Sequence, residues 1–325
     1  MHGWAGGYRR IIDGYLATDN RFDASAIDAT RRRVVLSALA GRSHRLKEAL
    51  MAEQELLGKV AIVTGATRRR GLGRAMALCL ARAGADIVVT GSGRRTGADL
   101  PADERESGWL GAESIAQEAR QLGVRAVAMT ADVTSSVAVQ SMVARTIDEL
   151  GRIDILINNA TFPRGDDRVP VTELDDELWR RIVDINLNGT MLCCKYVARE
   201  LIRQGEGGSI VSISSGAALK AVASFSAYAA SKAAVHALSS SLADELGPHG
   251  VTVNVVAPGF LDTARIDMLR RSGQWEKRVS SIPLGRAGTP EEVAETVRFL
   301  CGPHARWISG EVLLMNGGEV RRAAR

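Results

Sequence analysis

From Lys59 onward, short runs rich in valine and isoleucine alternate with longer stretches of helical period. The apolar runs predict seven strands, at Val60 to Val63, Ile87 to Thr90, Ala126 to Met129, Ile153 to Ile157, Ile210 to Ile213, Val251 to Val256 and Val312 to Met315. Their alternation with helical stretches is the pattern of βαβ units and of a parallel sheet covered on both faces. Helices are predicted between them at about Gly73 to Ala83, Ala112 to Gln121, Ser136 to Leu150, Leu174 to Gln204, Ser226 to Leu246 and Pro290 to Cys301. Glycines at 84, 123, 151 and 247 stand where helix C-caps are expected. The fold class is therefore α/β, a doubly wound seven-stranded parallel sheet with helices on both faces.

Two segments break the rhythm. Residues 93 to 111 hold glycine, proline and the charged run Asp103-Glu-Arg-Glu106, and read as an inserted surface loop or as a flap over a ligand. Residues 1–57 carry no binding motif, and short apolar runs such as Val34 to Ala40 allow a helix or two. They read as an N-terminal extension, partly helical or disordered, ahead of a catalytic domain at 58–325.

Composition narrows the classes. With 325 residues and 46% hydrophobic content the chain buries one large core. No apolar run reaches a membrane span, and the first thirty residues mix arginine with Asp13, Asp19, Asp23 and Asp28, unlike a secretory or transit peptide. The four cysteines show no CxxC spacing and the five histidines no metal-ligand array, so a cytoplasmic setting without a metal site is expected. The net charge of +5 comes with only 4% aromatic residues, which disfavours a nucleic-acid partner.

The chemistry begins with Tyr228 and Lys232, four residues apart on a predicted helix and so on one face. With four tyrosines, and 42 basic residues that are mostly arginine, such a pair is rare by chance. An ammonium beside a phenol lowers its pKa from about 10 and prepares a general acid. Val60-Ala-Ile-Val-Thr64-Gly65-Ala-Thr-Arg-Arg-Arg70-Gly71-Leu72-Gly73 is a strand, a glycine-rich turn and a helix start, the arrangement that receives a pyrophosphate. The second strand ends in Thr90-Gly91-Ser92-Gly93-Arg94-Arg95, basic where a carboxylate would meet a ribose hydroxyl. The basic groups near Gly71 and after Thr90 are expected to face no carboxylate, which favours a 2′-phosphate. Asp132-Val133 and Asn158-Asn159-Ala160 follow the third and fourth strands, at the edge where such sheets bind ligands.

Taken in order, these motifs resemble the short-chain dehydrogenase/reductase family over about Leu57 to Glu319. Thr64-Gly65 and Gly71-Leu72-Gly73 are similar to its glycine motif, with five residues between where the family has three. Arg70 precedes the last Gly-x-Gly. Thr161 replaces the glycine expected after Asn159-Ala160. The resemblance implies a Rossmann-like domain with a catalytic set of Asn186, Ser215, Tyr228 and Lys232, Ser214 being the alternative if the register slips. It implies further cofactor contacts at Pro258, Gly259 and Thr263, with Lys232 and Tyr228 at the ribose. By the same resemblance Tyr228 transfers a proton, Ser215 bonds the substrate oxygen and Asn186 positions a water.

The expected function is reduction of a carbonyl, or oxidation of a secondary alcohol, with NADP(H) preferred and NAD(H) possible, resembling the 3-oxoacyl carrier-protein reductases. A polyol, sugar or steroid-like alcohol dehydrogenase and a non-catalytic dinucleotide sensor or scaffold are the alternatives. The segment Phe260 to Ile282, with Met268 and Trp275, is expected to cover the substrate. Stripes of Leu192, Val197 and Leu201, and of Leu238 and Leu242, predict the contact of a homo-oligomer, a tetramer by resemblance, or else simply face the sheet.

Overall fold

The computed structural model describes residues 54–93, 102–163, 165–220 and 222–319. The expected extension lies almost wholly outside them, as do Arg94 and Arg95. Seven parallel strands form one sheet, β1 (Val60–Val63), β2 (Asp86–Gly91), β3 (Ala126–Thr130), β4 (Ile155–Asn158), β5 (Gly208–Ile213), β6 (Val251–Pro258) and β7 (Val312–Met315). Their order is β3-β2-β1-β4-β5-β6-β7. The chain builds outward from β1 to β3 and then crosses to β4 on the other side, pairing Ala61 with Ile155 as it pairs Ala61 with Ile87. A crevice opens at such a reversal, beyond the carboxyl ends of the strands.

Side chains alternate between the two faces, and both are buried. Ala61, Val63, Ile87 and Val89 pack under α1 (Leu72–Arg82), α3 (Ala112–Gln121) and α8 (Pro290–Cys301). Val60, Ile62, Val88 and Leu156 pack under α4 (Ser136–Leu150) and α6 (Gly189–Gln204), joined by Leu246 from α7 (Ser226–Leu246). Dual coverage is why the strands read as runs rich in valine and isoleucine. The packed unit reaches upstream of the expected 57/58 boundary, because Leu56 is 2% exposed, its N–H donates to the Ala83 carbonyl, and Glu55 pairs with Arg298.

Three departures from expectation shape the site. The helix expected over Leu174 to Gln204 is interrupted, as α5 (Asp176–Val183) runs into a π turn at Asp184–Asn188 before α6 begins. The wider turn swings Asn186 into the interior, and the missing side chain at Gly189 lets α6 approach Val133, whose Cγ2 would lie 2.6 Å from an added Cβ. Residues 93–111 are not all loop, since α2 (Ala102–Glu106) forms there and Glu104 is 1% exposed. Val197 and Leu201 sit fully buried against the sheet, so that stripe faces the core and not a partner.

Candidate active site

A cavity of about 1760 Å³ runs along the carboxyl ends of the strands, larger than a pocket for one small ligand. At one end lies the glycine-rich turn. Gly71 caps α1 without any side-chain hydrogen bond, which leaves the N–H groups of the first helical turn open for an anion. Gly65, with φ +64°, passes so close to β4 that an added Cβ would lie 2.6 Å from the Ala160 Cα. The threonine and asparagine of the motif brace the turn. The Asn159 and Ala160 N–H groups both donate to Thr64 Oγ1 at 3.1 Å, and Asn159 Nδ2 donates to the Thr64 carbonyl at 2.8 Å. Thr64 is buried, so its hydroxyl positions the loop and does not meet a ligand.

The longer spacing between Gly65 and Gly71 is stabilised by the segment expected to be loop. Glu104 accepts from the Arg69 N–H at 2.9 Å, and Trp109 Nε1 donates to the Thr67 carbonyl at 2.8 Å. Trp109, Leu110 and Gly111 thereby line the cavity. The expectation that the basic groups meet no carboxylate is corrected here. Arg70 forms a two-pronged pair with Asp267 at 3.0 and 3.1 Å, Arg74 pairs with Glu118 at 2.7 Å, and Arg68 lies 3.5 Å from Glu104. Thr90 to Gly93, at the end of β2, carry no acidic residue. Asp132 and Val133 line the middle of the cavity, and Pro258, Gly259 and Thr263 line its far wall.

α7 carries Tyr228 and Lys232 into the same cavity. Lys232 is 3% exposed, and its Nζ donates to the Ile213 carbonyl at the end of β5, at 2.8 Å. Burial, helped by the charge of Arg265, draws its pKa down from 10.5 to about 7. The two serines after β5 separate in role. Ser214 Oγ donates to the Lys232 carbonyl at 3.0 Å and lies 2.7 Å from His236 Nε2, which fastens β5 to α7. Ser215 caps a short 3-10 turn at Gly216–Ala218 and lines the cavity, half-buried.

Asn186 is fully buried and its side-chain amide is engaged. Oδ1 accepts from Thr161 Oγ1 at 3.0 Å and from the Phe162 N–H at 2.8 Å, while Nδ2 donates to Ser231 Oγ at 2.9 Å. Its carbonyl accepts from Thr190 Oγ1 at 2.9 Å. The geometry makes Asn186 a brace between the β4 loop and α7, and the threonine that replaces the expected glycine supplies one of the bonds.

Sequence reasoning missed the arginines at the tyrosine. The guanidinium carbons of Arg168 and Arg265 lie 4.6 and 5.4 Å from the Tyr228 ring centroid. Neither belongs to a motif; Arg168 arrives on a loop and Arg265 in a short 3-10 turn, Ala264–Ile266, neither with a period to read. The segment expected to cover the substrate does line the cavity through Phe260, Leu261, Thr263, Ala264, Arg265 and Leu269. Met268 and Trp275 are not among the lining residues; Met268 is exposed, and Trp275 packs 5.2 Å from the Phe260 ring. Among the described residues no cluster could hold a metal ion, and no helix is long and apolar enough to cross a membrane. The four cysteines are free and buried, with thiol pKa values raised by burial.

Comparison with known proteins places the chain in a family. A family model described as enoyl-(acyl carrier protein) reductase matches residues 65–319. The chain is 37% identical over 267 residues to the short chain dehydrogenase/reductase astE of Aspergillus oryzae, covering 81% of this chain and 95% of that protein. It is 38% identical over 266 residues to a 3-oxoacyl-[acyl-carrier-protein] reductase of Synechocystis, covering 82% and 98%. Among solved structures, a short-chain type dehydrogenase/reductase from Mycobacterium marinum superimposes with a TM-score of 0.69 at 30% identity, covering 83% of this chain and 99% of that one. The chain belongs to the short-chain dehydrogenase/reductase family, and is a nicotinamide-dinucleotide-dependent oxidoreductase that acts between CH–OH and C=O groups.

Proposed function

We propose that the protein is an NADP(H)-dependent oxidoreductase that reduces a small-molecule carbonyl or oxidises the corresponding secondary alcohol, with Tyr228 as general acid and base. The observation that carries this reading is that Tyr228, Lys232 and Ser215 open on one cavity with the uncapped N-terminus of α1. The residues fit a dinucleotide. First-turn N–H groups at Gly71, Leu72 and Gly73, with the backbone at Gly65, would hold its pyrophosphate; Asp132, Val133, Asn159 and Ala160 would lie along it. Pro258, Gly259 and Thr263 would face the ring, and Lys232 and Tyr228 the ribose. When bound, the nicotinamide supplies or accepts the hydride.

The protein's own groups handle the oxygen. In reduction the carbonyl π electrons pass to oxygen as the new C–H bond forms, and Tyr228 Oη gives that oxygen its proton. Ser215 Oγ donates to the same oxygen as its charge develops. Lys232, when protonated, stabilises the phenolate that remains, and Asn186 acts as a positioning residue that fixes Ser231 and hence α7. Oxidation runs the same steps in reverse.

Preference for NADP(H) rests on the stretch from Thr90 to Arg95, which offers a 2′-phosphate two guanidiniums and no carboxylate. Each charge-assisted contact contributes about 1.5 to 3 kcal/mol, so kcat/KM with NADPH is expected to exceed that with NADH by about tenfold or more. A nicotinamide absorbance assay over acyl, sugar and terpenoid ketones with both cofactors checks this. Turnover with NADH preferred would remove the cofactor assignment, and no turnover of any carbonyl or alcohol would remove the reaction.

The same reading puts the enzyme in the cytoplasm, with a catalytic domain that begins at about residue 54 and an N-terminal extension that supplies no catalytic group. It also includes a homo-oligomer, now through the outer face of α6. Met191 and Ile202 are exposed there and lie eleven residues apart, about three turns, so they share one side. Ile202→Glu is expected to halve the mass measured by light scattering without lowering Tm by more than a few degrees. A wild-type monomer at micromolar concentration would overturn the assembly.

A further inference from the structure

The cations that line the cavity are not equivalent. Arg168 pairs with the buried carboxylate of Asp167, Nη1 to Oδ2 at 2.7 Å, and lies 3.9 Å from the Phe225 ring centroid, so its charge is already balanced by the protein. Arg70 is likewise balanced by Asp267, and Arg278 by Glu319 at 2.7 Å. Arg265 differs. Its Nη1 donates to the Phe162 carbonyl at 3.0 Å, and no carboxylate among the described residues pairs with it. Arg181, 5.8 Å from the Phe162 ring, lines the same part of the cavity and also lacks a carboxylate partner among the described residues.

A guanidinium beside the reacting carbonyl is poorly suited to a neutral, apolar ketone. Ligand binding would strip its water without providing a counter-charge. A planar fork of N–H donors instead matches an oxyanion, which can take two parallel charge-assisted bonds. Arg265 holds the Tyr228 ring on one side and one carbonyl on another, so its remaining N–H groups are already oriented when a ligand arrives.

We propose that the substrate carries an oxyanionic group, a carboxylate or a phosphate, within a few bonds of the reacting carbonyl, and that Arg265 selects for it, assisted by Arg181. This rests on the reading of the cavity as a carbonyl-reductase site.

The test compares a keto acid with its methyl ester, the same ketone with and without the charge, at saturating cofactor. The ratio of kcat/KM for acid to ester is expected to fall about 10- to 100-fold in Arg265→Gln, the span of one charge-assisted hydrogen bond, and to be partly restored in Arg265→Lys. A ratio cancels any loss common to both substrates, including one transmitted through Tyr228. An unchanged ratio overturns the proposal. Calorimetric titration of the NADP⁺-loaded protein with a saturated carboxylate, and separately with inorganic phosphate, needs no turnover. Binding that Arg265→Gln weakens supports the anion site and identifies which oxyanion it takes; binding indifferent to Arg265, or none, overturns it. Ester turnover without anion binding would leave the reductase reading intact, whereas Arg265-dependent anion binding without reduction of either ketone would count against the reductase reading and support the site.

Discussion

Tyr228→Phe is expected to lower kcat by about two to four orders of magnitude, the usual contribution of a placed general acid, while nicotinamide binding followed by fluorescence survives. The substitution is selective because of what surrounds the ring. Arg168 and Arg265 approach the aromatic face, and phenylalanine keeps that face, so only the hydroxyl is lost. Folding should be little changed, which separates chemistry from structure. Single-turnover measurements at saturating substrate give the cleanest reading, since they isolate the chemical step from product release. A variant that turns over at nearly the wild-type rate would show that the Tyr228/Lys232 pair is structural.

Lys232→Met should abolish most turnover and at the same time stabilise the fold at neutral pH and below. Burial and Arg265 lower the lysine pKa from 10.5 to about 7 in the folded protein. Between those values the unfolded chain binds a proton that the folded chain does not, so stability rises with pH across the window. Below about pH 7 both states are protonated, and the cost of holding the buried ammonium is fully present. Methionine does not titrate and fills a similar volume, at the expense of the bond to the Ile213 carbonyl. Each pKa unit is worth about 1.4 kcal/mol, so the advantage of the variant is of several kcal/mol at pH 6 and shrinks toward pH 10. Melting temperatures of both proteins at pH 6 and pH 9 check this; an equal difference at the two pH values would sink it. The wild-type lysine would then be a residue kept for chemistry against its effect on stability.

Much of the fold was legible because of how a doubly covered sheet constrains its strands. β1, β2, β5 and β6 are buried on both sides, so valine- and isoleucine-rich runs marked them. Tyr228 and Lys232 were legible for a related reason, since helical period alone puts positions four apart on one side. The same logic misled at α6, where the Val197 and Leu201 stripe was real but a period says only that residues share a face, not whether sheet or partner covers it. It also missed the π turn at Asp184–Asn188, because a one-residue widening leaves no mark on the hydrophobic pattern.

By itself, then, the sequence determined the seven strands, their parallel βαβ arrangement and the placement of Tyr228 and Lys232 on one helix face, all of which depend on periodicities carried within single segments. Only the tertiary structure distinguished the surroundings of Ser214 from those of Ser215, by engaging the first with the Lys232 carbonyl and His236. It alone turned Asn186 into a brace, buried Glu104 out of a charged run to hold the glycine-rich turn, and brought Arg168 and Arg265 to the Tyr228 ring. These are contacts between segments distant along the chain, most of them with a loop or short turn on at least one side. Loops have no repeat that sets their direction, and their positions follow from where the sheet and helices place their ends.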